Sequence, residues 1–546
     1  MPISTKVAEG IHEVDVIIAG AGTAGCVVAG RLAAADPELS TLLIEGGENN
    51  AGKEDVRNGA QLLEHLTPVS RTAIFNVGKE SKALGGRAVV VPSGGLLGGG
   101  SSINIMDWLS TAVKLGYKEY TDLEDPESVN EGWERALKYS TPDGSRADAA
   151  HAYVQPLLED GEDPNLHVLC ESKVVRVLFD DNKRAVGVEY ITNPAYQAQT
   201  NLTQTPNLTI KATKLVVVSA GACGTPQVLE RSGVGNPSIL KAVGVPVVAE
   251  VPGVGENYDD HTLIIYPFAT NLGPDDTLDQ CTSGSVSAQE YTNKGMIGWN
   301  GCDTHGKFRP TEEEVQALGP AFKSAWEKDY KSQPNRPLMM SATLAGFLGD
   351  HSTVPAGQYF STAAYFAYSY SRGYLHITGP NYEDQIDFDP GYLSDKDGLD
   401  VAMNIWAYKR LPKIMRSTSM FTGELQIAHP MFPEGSAAAC VNDVDSKSVV
   451  ADPKYTAEDD KAIEKFIRGN VGSCWHSLGT AKMAPKEQNG VVDEKLNVYG
   501  VTGLKVIDLS IAPGMVAANT NNTAYVVGEK GAEIILAEFD AAREGQ

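Results

Sequence analysis

The stretch EVDVIIAGAGTAGCVVAGRLAAADPELSTLLIEGGENN, Glu13 to Asn50, constrains the fold more than any other part of the chain. Val14 to Ala19 reads as a buried strand. A glycine-rich turn follows, then a helix with small residues on its inner side, then a second apolar strand ending at Glu45. That is a β–α–β unit, and its parallel strands require a sheet covered by helices. The spacing Gly20-x-Gly22-x-x-Gly25 lets the chain turn sharply, lets backbone approach a pyrophosphate, and lets the helix pack on its strand. Thr23 and Ala24 open that helix and are counted with the phosphate-binding turn. Glu45 stands twenty residues past Gly25, at the end of the second strand, where a carboxylate accepts from ribose hydroxyls. Gly46 follows it and suits an adenosine ribose without a 2′-phosphate. The unit predicts a dinucleotide without saying which.

Length and charge narrow the remaining choices. At 546 residues the chain exceeds one ordinary core, so two domains are expected. Its 55 glycines are about 10% of the chain, above the usual share of about 7%. Seventy acidic against 45 basic residues give a net charge of −25, which repels nucleic acid and anionic membranes, so neither is expected as a partner. Apolar runs such as KLVVVSAGA fall short of the roughly 18 residues that span a bilayer. The first residues, MPISTKVAEGIHEVDV, show no apolar signal region, and the tail AAREGQ is not a peroxisomal address, so an intracellular, cytoplasmic protein is expected. Seven cysteines, odd in number and without a CxxC pair, predict reduced thiols and no metal site.

Further along, VVVPSGGLLGGGSSINIMDW supplies a second glycine loop, followed by an acidic, helix-prone patch to about Gly144. NLHVLCESKVVRVLFDDNKRAVGVEYI alternates like a small meander of strands, and KLVVVSAGACGTPQVLERSGVG is again strand, turn and helix. From 262 to 455 aromatic segments such as YFSTAAYFAYSYSRGYLHI alternate, as in an antiparallel sheet. LKVIDLSIAPGMVAANTNNTAYVVGEKGAEIILAE then returns to strand, loop and helix. The expected class is α/β. A Rossmann-like dinucleotide domain is assembled from residues 1–110, 145–261 and 456–546; residues 111–144 form a shortened cover, and 262–455 an inserted α+β substrate domain with an antiparallel sheet.

The later motifs choose the dinucleotide. In GACGTPQVLERSGVG (Gly221 to Gly235), VPGVGENYDDH (Val251 to His261), LGGGSSIN (Leu97 to Asn104) and HSLGT…GLKVIDLSIAP…NT…GEKGAE, and over nearly its whole length, the chain resembles the glucose-methanol-choline (GMC) family of FAD-dependent oxidoreductases. Within it the likeness is nearest to fungal short-chain alcohol oxidases, in LIEGGENN, FRPTEEE, DFDPGYL and KLNVYGV. The resemblance implies FAD as cofactor, with Gly20, Gly22 and Gly25 at its pyrophosphate, Glu45 at the adenosine ribose and Val174 at the adenine. It places Gly98, Gly99, Ser102 and Asn104 near the pyrophosphate and isoalloxazine, and Asp508 and Thr520 near the ribityl chain. Some relatives tether the flavin through a histidine where this chain has Ile103, so the FAD is expected to be non-covalent.

Alcohol oxidation by a flavin removes the hydroxyl proton and the carbinol hydrogen, so a base must reach the substrate oxygen. His476, in CWHSLGTAKM, is by itself the kind of residue that is more often structural. The resemblance makes it the base, and makes Asn519 the partner that orients the alcohol oxygen, with Asn521 and Asn522 as nearby decoys. His261, in DDH, reads as structural, its carboxylate neighbours favouring the imidazolium. The Tyr-rich stretch from 359 to 374 reads as sheet core.

One departure stands out. Only about forty residues separate Asn104 from Ser145, where relatives carry a longer cover. A wider pocket for a bulkier alcohol, a gap filled by a partner subunit in a homo-oligomer, and impaired turnover all remain open. The leading expectation is oxidation of a small alcohol to an aldehyde or ketone, with O2 reoxidising FAD to give H2O2. The alternatives are a dehydrogenase using a quinone or another acceptor, and a lyase that keeps FAD only as structure.

Overall fold

The computed structural model describes residues 3–103, 118–120, 132–135, 140–141, 143–159, 163–196, 207–287, 290, 293, 299–444 and 452–545. The β–α–β unit forms as expected, with strand Glu13–Ala19, helix Thr23–Ala35 and strand Thr41–Ile44. These join a seven-stranded sheet in the order Leu166–Leu169, Thr41–Ile44, Glu13–Ala19, Leu208–Val218, Ala185–Thr192, Ser172–Phe179, with Leu504–Val506 also pairing to Leu208–Val218. The strands from Leu166–Leu169 to Leu208–Val218 are parallel, which buries both faces and explains their unbroken apolar runs. The long strand Leu208–Val218 belongs to two arrangements at once. Leu208 to Lys211 pair antiparallel with Ala185–Thr192, while Val216 to Val218 lie parallel between Ile17 to Ala19 and Leu504–Val506.

The C-terminal helix Thr520–Glu544 packs on the helix Thr23–Ala35. Gly528 permits this approach, since a Cβ there would meet Val27 Cβ at 2.8 Å and Ala24 O at 3.0 Å.

A second sheet has eight strands. Its order is Phe421–Glu424, Thr262–Thr270, Gln358–Phe366, Met339–Leu344, Thr304–Phe308, Gly132–Arg135, Lys118–Tyr120, with Gly472–Ser473 paired to Thr262–Thr270. All pairs are antiparallel except Lys118–Tyr120 with Gly132–Arg135. The sheet therefore takes strands from either side of residues 262–455. The helix-prone reading of the patch before Gly144 is corrected where the chain is described: the free edge of Thr304–Phe308 offers Gly132–Arg135 a hydrogen-bonded partner, and tertiary pairing overrides local propensity. Tyr266, Phe268, Phe308, Phe360 and Phe366 fill the core against helix Leu399–Arg416.

The two layers are tied by helix Gly221–Arg231 and strand Tyr374–Ile377. Glu230, fully buried, accepts from Ile377 N at 2.8 Å and pairs with His376 Nδ1 at 2.7 Å. All seven cysteines are unpaired thiols. Among the described residues no helix is long and apolar enough to cross a membrane, and no group of three potential metal ligands occurs.

Candidate active site

A cavity of about 450 Å3 is lined from both sheets. At one end it meets the glycine turn, and the three glycines there do different work. Gly20 has φ +105°, and a Cβ on it would lie 2.4 Å from Ser219 O. Gly25 stands behind the wall, where a Cβ would lie 2.1 Å from Gly20 O, so it sets how closely helix meets strand. Gly22 is the opposite case: it lines the cavity with nothing within 4 Å of where its Cβ would be. Thr23 and Ala24 continue the wall.

Glu45 is buried beside this turn. Its Oε2 accepts from Ala21 N at 2.9 Å and its Oε1 from Gly47 N at 2.8 Å. Burial raises its pKa, and the two N–H bonds pull against that. Each carboxylate oxygen keeps a further lone pair, so Glu45 can hold the turn and still accept from a ribose hydroxyl. Val174 lines the same end with Ser172 and Gly46.

The second glycine loop closes over the turn. Gly99, at φ +58°, lies so near that its Cβ would come 2.7 Å from Gly22 Cα, and it lines the cavity with Gly100 and Ile103. Gly98 and Ser102 do not line the cavity; they sit one layer back. Gly98 N donates to Ala21 O at 2.8 Å, and Ser102 Oγ donates to Leu97 O and accepts from Asn50 Nδ2, both at 3.1 Å. Asn104 lies outside the described residues. Asp508 lines the cavity while its carboxylate accepts from Gly221 N at 2.9 Å, Thr225 Oγ1 at 2.6 Å and Ser510 N at 2.7 Å. Thr520 opens the C-terminal helix on the same wall.

His476 and Asn519 line the same cavity, together with Tyr365, His305, Leu263 and Ile265. The loop carrying His476 is fixed by Asp260, a buried carboxylate. Its Oδ1 accepts from His476 N at 3.0 Å, and its Oδ2 accepts from Tyr392 Oη at 2.6 Å, Tyr258 Oη at 3.2 Å and Ser473 Oγ. Trp475 holds φ +61°, a left-handed conformation that a bulky residue adopts only when its surroundings impose it. The His476 ring meets His261 edge to face, with Nδ1 to Nδ1 at 2.7 Å, and His261 Nε2 lies 2.9 Å from Val516 O. Burial, then the neighbouring His261 and His305, hold His476 well below its ordinary pKa. Tyr365 Oη donates to Asn519 Oδ1 at 3.2 Å.

Two family models, both described as GMC oxidoreductase, match residues 107–263 and 369–528. An alcohol oxidase of Candida boidinii is 33% identical over 97% of this chain and 95% of its own length. The chain belongs to the GMC oxidoreductase family. An alcohol dehydrogenase [acceptor] of Pseudomonas putida is 28% identical over 97% of this chain and 96% of its own. Among solved structures, a variant of the formate oxidase of Aspergillus oryzae RIB40 superposes with TM-score 0.79 at 18% identity, over 98% of this chain and all of that one. The Candida alignment spans 645 positions, so that relative carries stretches for which this 546-residue GMC oxidoreductase has no counterpart.

FAD is the cofactor of a GMC oxidoreductase, and the residues here fit it. Helices Thr23–Ala35 and Thr520–Glu544 both begin at this cavity without a side-chain cap, so their first N–H groups are donors for an anion such as a pyrophosphate. Asn521 lines the cavity too, and its Nδ2 has no acceptor among the described residues. Gly22 leaves the open space that backbone approach to a phosphate needs.

Sequence reading brought His476, Asn519 and the glycine turn to one cavity. It missed Asp260, His305 and Tyr365, and it misread the environment of His261. Asp259 faces Arg372 at 3.1 Å and Asp260 faces three hydroxyls, so neither carboxylate bonds the His261 ring. Burial instead lowers His261 to about 4, opposed by the Val516 and Ala367 carbonyls. Tyr365 had a legible signal: Ser361, Ala363 and Tyr365 alternate on one face of Gln358–Phe366, and all three line the cavity.

Proposed function

We propose that this GMC oxidoreductase oxidises a small alcohol to an aldehyde or ketone, with non-covalent FAD as the immediate acceptor and O2 reoxidising it to give H2O2. The observation that carries the proposal is that one cavity is lined by the glycine turn, by the first residues of two helices, and by His476 with Asn519. Ile103, at the loop position where a tethering histidine could stand, has no nucleophilic atom, which supports a dissociable cofactor.

FAD, when bound, supplies the acceptor for the carbinol hydrogen as hydride. The chain's own residues deal with the proton and the oxygen. His476 is held neutral by burial and so can take the hydroxyl proton. Tyr365 hydrogen-bonds the Asn519 oxygen, which turns the amide so that its NH2 is the donor end for a substrate oxygen gaining negative charge. Leu263, Ile265 and Leu344 give the carbon skeleton an apolar wall.

Anaerobic mixing with short aliphatic, aryl and polyol alcohols, followed by flavin absorbance, tests the reaction. Bleaching by at least one class is expected; a spectrum that stays oxidised with every turned-over substrate would instead indicate a lyase. His476→Ala should slow flavin reduction by about 10²- to 10⁴-fold with FAD still bound, and near-wild-type reduction would remove His476 from the base role. Because His476 is neutral well below its ordinary value of 6.5, the limiting reduction rate of the wild type should show no inflection near that pH. Similarity to the Pseudomonas dehydrogenase favours a second reading, an acceptor other than O2. One H2O2 per turnover in air supports the oxidase, and dye reduction without peroxide supports the dehydrogenase.

A further inference from the structure

We infer that His261 is a positioning residue which holds His476 in its Nδ1–H tautomer and so leaves the Nε2 lone pair facing the cavity. The inference rests on the proposal that His476 is the base, and it deepens that proposal by saying which nitrogen acts and what selects it.

The Val516 carbonyl can only accept, and it lies 2.9 Å from His261 Nε2, so that nitrogen carries the hydrogen. His261 is fully buried and its pKa lies far on the neutral side, so the ring carries one N–H only. Its Nδ1 is therefore a bare lone pair. At 2.7 Å from that lone pair stands His476 Nδ1. Two lone pairs at this distance would repel, so His476 Nδ1 must donate. His476 is neutral as well, and with its single hydrogen spent on His261 its Nε2 has none. His476 lines the cavity and His261 does not, so the engaged Nδ1 edge is turned away from the cavity and the Nε2 edge toward it. The near-perpendicular contact, 85° between ring planes, also fixes the imidazole against rotation.

Without this chain the choice would be open. A free neutral histidine exchanges its hydrogen between the two nitrogens, and a ring with hydrogen on Nε2 presents a donor where the alcohol hydroxyl needs an acceptor. On taking the hydroxyl proton at Nε2, His476 becomes an imidazolium that still donates from Nδ1, and that bond becomes charge-assisted. His261 neither gains nor loses a proton. Its carbonyl partner, Val516, lies three residues before Asn519, so one loop supports both the histidine chain and the amide that meets the substrate oxygen.

The test uses His261→Leu, which removes the acceptor, and His261→Asn, whose amide oxygen can stand near the lost Nδ1 and accept the same N–H. In the FAD-loaded enzyme labelled with 15N-histidine, two-bond 1H–15N correlations report the tautomer of His476, whose signal is identified by its loss in His476→Gln. The wild type and His261→Asn should show Nδ1–H; His261→Leu should show Nε2–H or an average. The limiting rate of flavin reduction should fall about 10- to 100-fold in His261→Leu, with substrate affinity little changed, and recover largely in His261→Asn. A wild-type His476 carrying hydrogen on Nε2 would overturn the inference, and so would an unchanged tautomer and rate in His261→Leu. Should His261→Leu lose FAD, the wild-type tautomer decides alone. A His476 variant that reduces flavin at full rate would sink the proposed base while leaving the tautomer measurement intact.

Discussion

Asp260 gathers four hydrogen bonds on one buried carboxylate, and through them it fixes the backbone that presents His476. Removing it takes the acceptor from Tyr392, Ser473 and the His476 N–H, while Tyr258 Oη keeps Ser477 Oγ at 2.8 Å, so Asp260→Ala should cost roughly 3 kcal/mol of stability, read from denaturant midpoints. The same variant should slow flavin reduction even where it still folds, because nothing else described holds the His476 N–H. Asp260→Asn keeps an acceptor for that N–H and should fall between the two. Which residues to propose for the chemistry was readable in the sequence, because His476 and Asn519 sit in motifs with fixed spacing. How they are held was not readable. In DDH three polar side chains stand in succession, and each meets a different partner. Asp259 goes to Arg372, Asp260 to the hydroxyls, and His261 to His476, so adjacency in sequence says nothing about which charge meets which ring.

The glycine turn shows that residues of one motif can be separated by experiment. Gly25→Ala forces a Cβ into Gly20 O and should lower stability by about 1–3 kcal/mol. Gly22→Ala meets no protein atom and should unfold at the wild-type temperature without cofactor, yet raise the Kd for FAD about tenfold or more, a loss of ~1.4 kcal/mol. Equal effects of the two on thermal melting of the cofactor-free protein would contradict the division of work described above. The unit itself was legible because strand, turn, helix and strand are contiguous and each is written in its own periodicity. The strands Lys118–Tyr120 and Gly132–Arg135 were hidden among acidic, helix-prone residues. What makes them strands is an edge contributed by Thr304–Phe308, some 170 residues away, and no local pattern carries that information.

Across the whole molecule, His376 and Glu230 join the dinucleotide layer to the aromatic layer. Burial pulls the His376 pKa down, but Glu230 and Glu256 outweigh it and the net value rises from 6.5 to about 9. A histidine raised on folding contributes stability that is complete below pH 6.5 and is lost as the pH climbs through about 9. The difference in Tm between the wild type and His376→Gln should therefore be largest near pH 6.5 and shrink towards pH 9; a difference independent of pH would contradict the pairing. Glu230→Gln, which leaves the buried imidazolium without its closest counter-charge, should cost about 3 kcal/mol or more near neutral pH. The shared strand Leu208–Val218 has a consequence of another kind, in the timing of synthesis. Its parallel neighbour Leu504–Val506 leaves the ribosome nearly 290 residues after Val218. At about 5–20 residues per second that is an interval of roughly 15–60 s, during which the apolar strand end Val216 to Val218 has one edge unpaired. A nascent chain of this protein must spend that time shielded by a chaperone, or risk pairing that edge with a neighbouring chain.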